Sequence, residues 1–235
     1  MAPAYSVKIV CLANSRKISG RCVAGKIVGG ADAGKWIRPV SARNSAELSE
    51  LDRRYENGSD PKLLDVVNIP MLKPLPHGFQ AENHLIDDRF YWSTNHALDW
   101  GGLHEILDDV SGPLWENRSS GGNGQNDRVA EDRAVKVAAA FGGSLALVKV
   151  ADLTVSVALE GVGFENAKRK VRGTFTLAQH RYTLSITDVP VERVFLEKAD
   201  GRYQVGEAIL CISLGEPFHD FAYKLIAAVH LPPIR

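Results

Sequence analysis

The sequence predicts a mainly β protein with small helical inserts, built as two tandem OB-like Greek-key barrels. Apolar and polar residues alternate over short runs in both halves, and Gly, Pro, Asn and Ser punctuate those runs at short intervals. Each half then reads as about five short strands with a small helical insert, which is the element count of an OB-type barrel; the second half is the better match.

In chain order, Val7, Ile9, Cys11 and Ala13 alternate with Ser6, Lys8, Val10 and Leu12, giving a first strand from Tyr5 to Ala13 that turns apolar on both sides at its centre. Ser19-Gly20 breaks it, and Arg21 to Val28 forms a second strand ended by Gly29-Gly30. Lys35 to Val40 is a short third strand, where Pro39 argues for an edge or an end. Asn44-Ser45-Ala46-Glu47 resembles a capping box opening a helix through about Tyr55, closed by Asn57-Gly58. Leu63 to Pro70 and Phe90-Tyr91-Trp92 read as strands, and Gly101 to Asp109 as a short helix.

The run Ser119-Ser120-Gly121-Gly122-Asn123-Gly124-Gln125-Asn126 has the most flexible composition in the chain and is expected to mark a boundary. The division predicted is a first barrel over residues 1–118, a boundary segment over 119–142 and a second barrel over 143–235. Strands are then expected at Leu153–Leu159, Lys168–Leu177, Tyr182–Thr187, Ala208–Leu214 and Tyr223–Leu231, with a short helix at Val191–Phe195.

The 235 residues carry 28 basic and 28 acidic side chains, so the excess positive charge of many nucleic-acid binders is missing and any such binding must use a local patch. Three scattered cysteines form no disulfide framework or C-x-x-C pair, the N-terminus has no signal-peptide pattern, and no apolar run reaches membrane-spanning length. The expectation is a soluble cytoplasmic protein without membrane association. Neutrality hides a split, however: Lys8, Arg16, Lys17, Arg21, Lys26, Lys35, Arg38 and Arg43 face only Asp32 within residues 1–45, while acids dominate residues 46–135.

That split makes the connection between the first two strands the candidate site. Ser15, Arg16, Lys17 and Arg21 lie beside the strand-two and strand-three face that OB barrels use for ligands, where cations capture phosphates. Trp36 and Arg38 are two apart on the third strand and so share a side, as a stacking ring beside a guanidinium would. A basic hairpin is equally a solvated surface or a dock for an acidic protein, and a tryptophan on a strand is equally core. Lys224 is unusual inside the apolar strand Tyr223 to Leu231; it is expected either in solvent or on a ligand face beside Tyr182–Asp188.

Catalytic patterns are missing. His77, His84, Asp87 and Asp88 match no metal-ligand spacing, the serines sit in no G-x-S-x-G elbow, and Gly29 to Gly34 lacks the order of a phosphate-binding loop. A thiol at Cys22 beside Arg21 is more simply a small hydrophobe on a strand. No catalytic residue, metal or cofactor is expected, and a hydrolase working through the His77 to Asp88 region has no motif behind it.

The segments VCLANSRKISGRCVAG, WIRPV, FQAEN, YTLSITDVPVE, ISLGEP and YKLIAAV occur in an order similar to that of the dual OB-containing domain of bacterial proteins, over nearly the whole chain. This resemblance implies two OB-like barrels and a role in recognising nucleic acid or a nucleotide-derived ligand, in a bacterial antiviral or conflict setting. The alternative is a protein-interaction module of a complex whose enzyme is another chain.

Overall fold

The computed structural model describes residues 3–116, 118–162 and 167–233. It divides into two compact units, Met1–Leu107 and Asp108–Arg235. Among the described residues no helix is long and apolar enough to cross a membrane.

The first unit contains β1 (Tyr5–Lys17), β2 (Gly20–Ile27), β3 (Trp36–Val40), α1 (Glu50–Arg53), β4 (Asp65–Pro74), β5 (Asn83–Ile86), β6 (Ser93–Ala97) and α2 (Trp100–Glu105). Five strands close a ring in the order β1-β2-β3-β5-β4-β1, and β6 pairs with β4 outside it. Every ring neighbour is antiparallel except β3 with β5, which run parallel from Arg38 opposite Asn83 to Val40 opposite Leu85. A ring with no free edge removes the exposed strand hydrogen bonds that would otherwise invite pairing. Ile9, Cys11, Val23, Ile37, Val67, Ile69, Met71 and Ile86 fill it, with Leu48, Tyr55 and Trp92 packed among them. The register of β1 on β2 shifts between Cys11 and Ala13, near Gly25, where a Cβ would lie 2.0 Å from the Val10 carbonyl oxygen. Glycine is required there by close backbone approach.

The helix expected from Asn44 shrinks to the single turn α1. Ala46 adopts φ 54 and Leu48 forms a two-way backbone bridge with Arg21 at 2.9 Å in each direction, so this stretch is extended and pinned to β2. The capping box sits five residues later: Ser49 accepts from Asp52 N–H at 3.3 Å, and the Asp52 carboxylate accepts from Ser49 N–H at 2.6 Å. The strand expected at Phe90–Trp92 lies at Ser93–Ala97 instead, because Trp92 is used in the core and bridges Tyr55.

The second unit repeats the ring. It contains β7 (Arg128–Ala130), α3 (Glu131–Phe141), β8 (Leu145–Glu160), β9 (Lys168–Leu177), β10 (His180–Ile186), α4 (Val189–Leu196), β11 (Gly201–Phe218) and β12 (Phe221–His230). The order is β8-β9-β10-β12-β11-β8, with β10 parallel to β12 through Ser185 opposite Leu225 and Ile186 opposite Ile226, and with β7 added to β12. As in the first ring, the third and fifth strands are the parallel pair and a helix lies between the third and fourth. The two rings are tandem OB-like barrels.

α4 starts where Asp188 accepts from Val191 N–H at 3.3 Å; the same carboxylate takes Val229 N–H at 2.9 Å, tying the helix start to β12. β11 runs well beyond the expected Ala208–Leu214 because it continues through register shifts around Gly206, which breaks the alternation without ending the strand. The segment expected as a boundary, 119–142, carries β7 and α3 and belongs to the second compact unit.

Candidate functional site

The β1–β2 hairpin end places Arg16 opposite Arg21 and Ser15 opposite Cys22, whose carbonyl accepts from the Ser15 hydroxyl at 3.4 Å. Ser15 is buried, Lys17 and Arg21 are half-buried, and Arg16 is exposed. Arg21 lies near enough to Arg53 and Arg16 to feel both; its burial and then those charges hold its pKa below the ordinary value, with Asp60 opposing. Arg53 itself pairs with Asp60 at 2.7 Å and donates to the Leu48 carbonyl at 3.3 Å. The tip of the hairpin is held by an acid: Glu47 accepts from Ser19 N–H at 3.1 Å, Gly20 N–H at 3.2 Å and the Ser19 hydroxyl at 2.9 Å, bonds that keep its carboxyl below the usual range.

Trp36 and Arg38 do share the outward side of β3, since Ile37 between them points into the core. They do not form an open platform. Arg38 is 1% exposed and its guanidinium meets Glu82 at 3.1 Å, both side chains being buried. Trp36 is half-buried opposite Lys26, whose buried ammonium lies 5.3 Å from the ring centroid and donates to the Ile106 carbonyl at 2.7 Å. The outward surface of strands two and three is thus occupied by the chain's own charged groups.

Lys224 is neither in solvent nor on an outer face. It shares the inward side of β12 with Ala222 and Ile226, is 2% exposed, and holds its ammonium 5.6 Å from the Tyr182 ring centroid. Burial lowers its pKa to about 7, with Asp127 pulling the other way. The His77–Asp88 group is also dispersed: His84 Nδ1 bonds the Tyr5 hydroxyl at 2.7 Å, and Asp87 takes the Arg89 guanidinium through two 2.7 Å bonds. Among the described residues no three His, Cys, Asp or Glu side chains are grouped to hold a metal ion.

The corresponding surface of the second barrel is open. A groove of about 790 Å³ runs over the outward side of β8, β9 and β10 and the start of β11. Its floor is a row of threonines set by register, Thr154 opposite Thr174 and Thr174 opposite Thr183, and on β11 Gln204 lies opposite Thr154. Thr154 donates to Gln204 at 3.0 Å, and the Thr174 and Thr183 hydroxyl oxygens are 3.0 Å apart. One wall is the glycine-rich loop. Parallel pairing with β12 covers only the end of β10, and the loop takes over before it: Gln125 bonds Thr183 in both directions, at 3.1 and 3.0 Å, and the Asn126 side-chain amide donates to the Arg181 carbonyl at 2.9 Å. Asp127 anchors the loop by accepting from Gly121 N–H at 2.6 Å, and a Cβ on Gly124 would fall 1.8 Å from Asp127 Oδ2. Glycines here serve tight packing on a carboxylate.

Arg172, Arg181 and Arg202 bring the groove's positive charge, against Glu160 and Asp200. Arg172 is engaged by Glu160 through a fork of 2.6 and 2.9 Å and lies 3.9 Å from Asp127. Arg181 and Arg202 are exposed and their guanidiniums make no ion pair among the described residues. The residues lining the groove include no aromatic ring. Sequence reasoning missed this site, although Lys168, Lys170 and Arg172 alternate along one strand and so fall on one side of it.

The chain matches the family model described as the dual OB-containing domain over residues 7–229. No curated protein and no solved structure matches it.

Proposed function

Since the chain belongs to the dual OB-containing domain family, we propose that it is a non-catalytic binding module for nucleic acid, single-stranded or structured, or for a nucleotide-derived ligand. The observation that carries this is the open polar groove on the strand-one to strand-three side of the second barrel, the side on which OB barrels take oligonucleotides. Exposed Arg181 and Arg202 supply phosphate contacts, and the Thr154–Thr174–Thr183 row supplies hydroxyl groups for sugar and base edges. With no ring in the lining, capture there is electrostatic and hydrogen-bonded rather than by stacking. The hairpin end with Ser15, Arg16, Lys17 and Arg21 is a second, separate anion contact, while Trp36, Arg38 and Lys224 serve the barrels themselves. A bacterial cytoplasmic setting in antiviral defence suits such a module.

A protein-docking role has one observation in its favour. Ile18 at the hairpin tip is 74% exposed and holds φ 49, a backbone region costly for a β-branched residue. An apolar tip flanked by cations suits an acidic protein partner.

The test is binding of a labelled single-stranded oligonucleotide across salt concentrations. Phosphate capture gives affinity that falls with salt, and Arg181→Ala with Arg202→Ala should reduce the log–log slope by about 1–2. A slope unchanged by those substitutions would remove the groove from the account.

A further inference from the structure

The floor of the groove contains a carboxylate where an anion would have to bind. Glu160 and Arg172 both line it, with side chains 14% and 15% exposed, and the guanidinium fork is filled by both carboxylate oxygens at 2.6 and 2.9 Å. Guanidinium offers the same planar fork to a carboxylate and to a phosphate, so Glu160 sits in the seat a ligand phosphate would take.

The register makes this pairing a choice rather than a necessity. Directly opposite Glu160 on β9 is Lys168, and directly opposite Arg172 on β8 is Ser156. Glu160 instead engages an arginine four positions farther along β9. Lys168 is exposed and its ammonium makes no ion pair among the described residues, so a displaced Glu160 has a cation at its nearest cross-strand position.

Charge decides which ligand can make the exchange. An internal phosphodiester carries one negative charge, the same as the carboxylate it would replace, so at the Arg172 fork it gains nothing over Glu160. A phosphate monoester carries about −1.5 to −2 near neutral pH and has three acceptor oxygens, so it gains where the diester does not.

We propose that Glu160 is the specificity-determining residue of the groove, holding the Arg172 fork against phosphodiesters and yielding it to a terminal phosphate monoester. The proposal rests on the nucleic-acid reading of this groove. Its ligand chemistry is a phosphate monoester next to a sugar, present either at the end of a strand or on a free mononucleotide.

The experiment compares one ten-nucleotide single-stranded oligonucleotide sequence carrying a 5′-phosphate, a 3′-phosphate or hydroxyls at both ends, on the intact chain and on Glu160→Gln, with thermal melts to confirm folding. Adenosine 5′-monophosphate is the competitor. Expected is about tenfold tighter binding of a phosphorylated end by the native chain, with the preference shrinking severalfold in Glu160→Gln because diesters are then admitted. Competition by the mononucleotide at matched concentration assigns the chemistry to free nucleotides; resistance to it assigns the chemistry to strand ends. Equal affinity for phosphorylated and hydroxyl ends, unchanged in Glu160→Gln, overturns the proposal while leaving nucleic-acid binding in place. Failure of every oligonucleotide and of the mononucleotide to bind overturns that broader reading as well.

Discussion

The two barrels share one strand order and differ in what occupies the outward side of their second and third strands. In the first, Lys26 and Arg38 are buried there, one bonded to a carbonyl and the other paired with Glu82. In the second, the equivalent side is a groove floored by threonines and edged by Arg181 and Arg202. A common ring therefore does not make a common site; the side chains on it decide. Cations on the face that OB barrels use for ligands are structural when their partners are internal, and available when they are not.

The largest expected effect separates those two uses of arginine. Arg38→Ala takes away the buried guanidinium that faces the Glu82 carboxylate and should destabilise the first unit by about 3–5 kcal/mol in denaturant unfolding. Arg202→Ala should stay within about 0.5 kcal/mol of the native stability while weakening oligonucleotide binding. If Arg38→Ala were harmless to folding and Arg202→Ala were not, the assignment of roles would be reversed.

Next is the buried Lys224. Its pKa of about 7 in the folded chain lies well below that of an unfolded lysine, so between about pH 7 and 10 the unfolded state binds the extra proton. Stability should therefore rise with pH through that window, by a few kcal/mol in order of magnitude, and the benefit is lost as pH falls toward 7. In Lys224→Met that component should vanish from unfolding curves recorded between pH 7 and 10. A slope unaffected by the substitution would mean Lys224 is not the group responsible.

Gly124→Ala forces a methyl carbon into the Asp127 carboxylate and should cost about 1–3 kcal/mol, with a loss of oligonucleotide affinity because the loop is a wall of the groove. Gly122→Ala, where a Cβ meets nothing within 4 Å, is the matched control. The smallest effect expected is at the hairpin: Arg16→Ala with Lys17→Ala should change affinity by less than about threefold and leave the preference for a phosphorylated end intact, as measured by the same binding assay.

Strand alternation made most of the fold legible, and β9 falls on the residues expected, Lys168–Leu177. β5 was hidden because Asn83–Ile86 is four residues long and begins in a polar run, and its place in the ring depends on Arg38 to Val40 far earlier in the chain. The same-side placement of Trp36 and Arg38 followed from spacing, but their burial depends on Glu82 and Lys26, which spacing does not contain. Composition misread the glycine-rich loop, since small residues permit flexible chain and close packing alike, and only the Asp127 carboxylate distinguishes them. The groove went unread, although Lys168, Lys170 and Arg172 fall on one side of β9 and Arg172 lines it; that Arg172 is held by Glu160 is not contained in the spacing.

The most direct test of the central claim is where a bound strand touches the chain. A single-stranded oligonucleotide bearing a photoreactive base should, after crosslinking and peptide mass spectrometry, label the groove lining: residues 122–125, 156–160 and 200–202 together with Thr154, Arg172, Thr174, Arg181 and Thr183. Labels concentrated instead on β2 and β3, between Cys22 and Arg38, with residues 172–183 untouched, would contradict it.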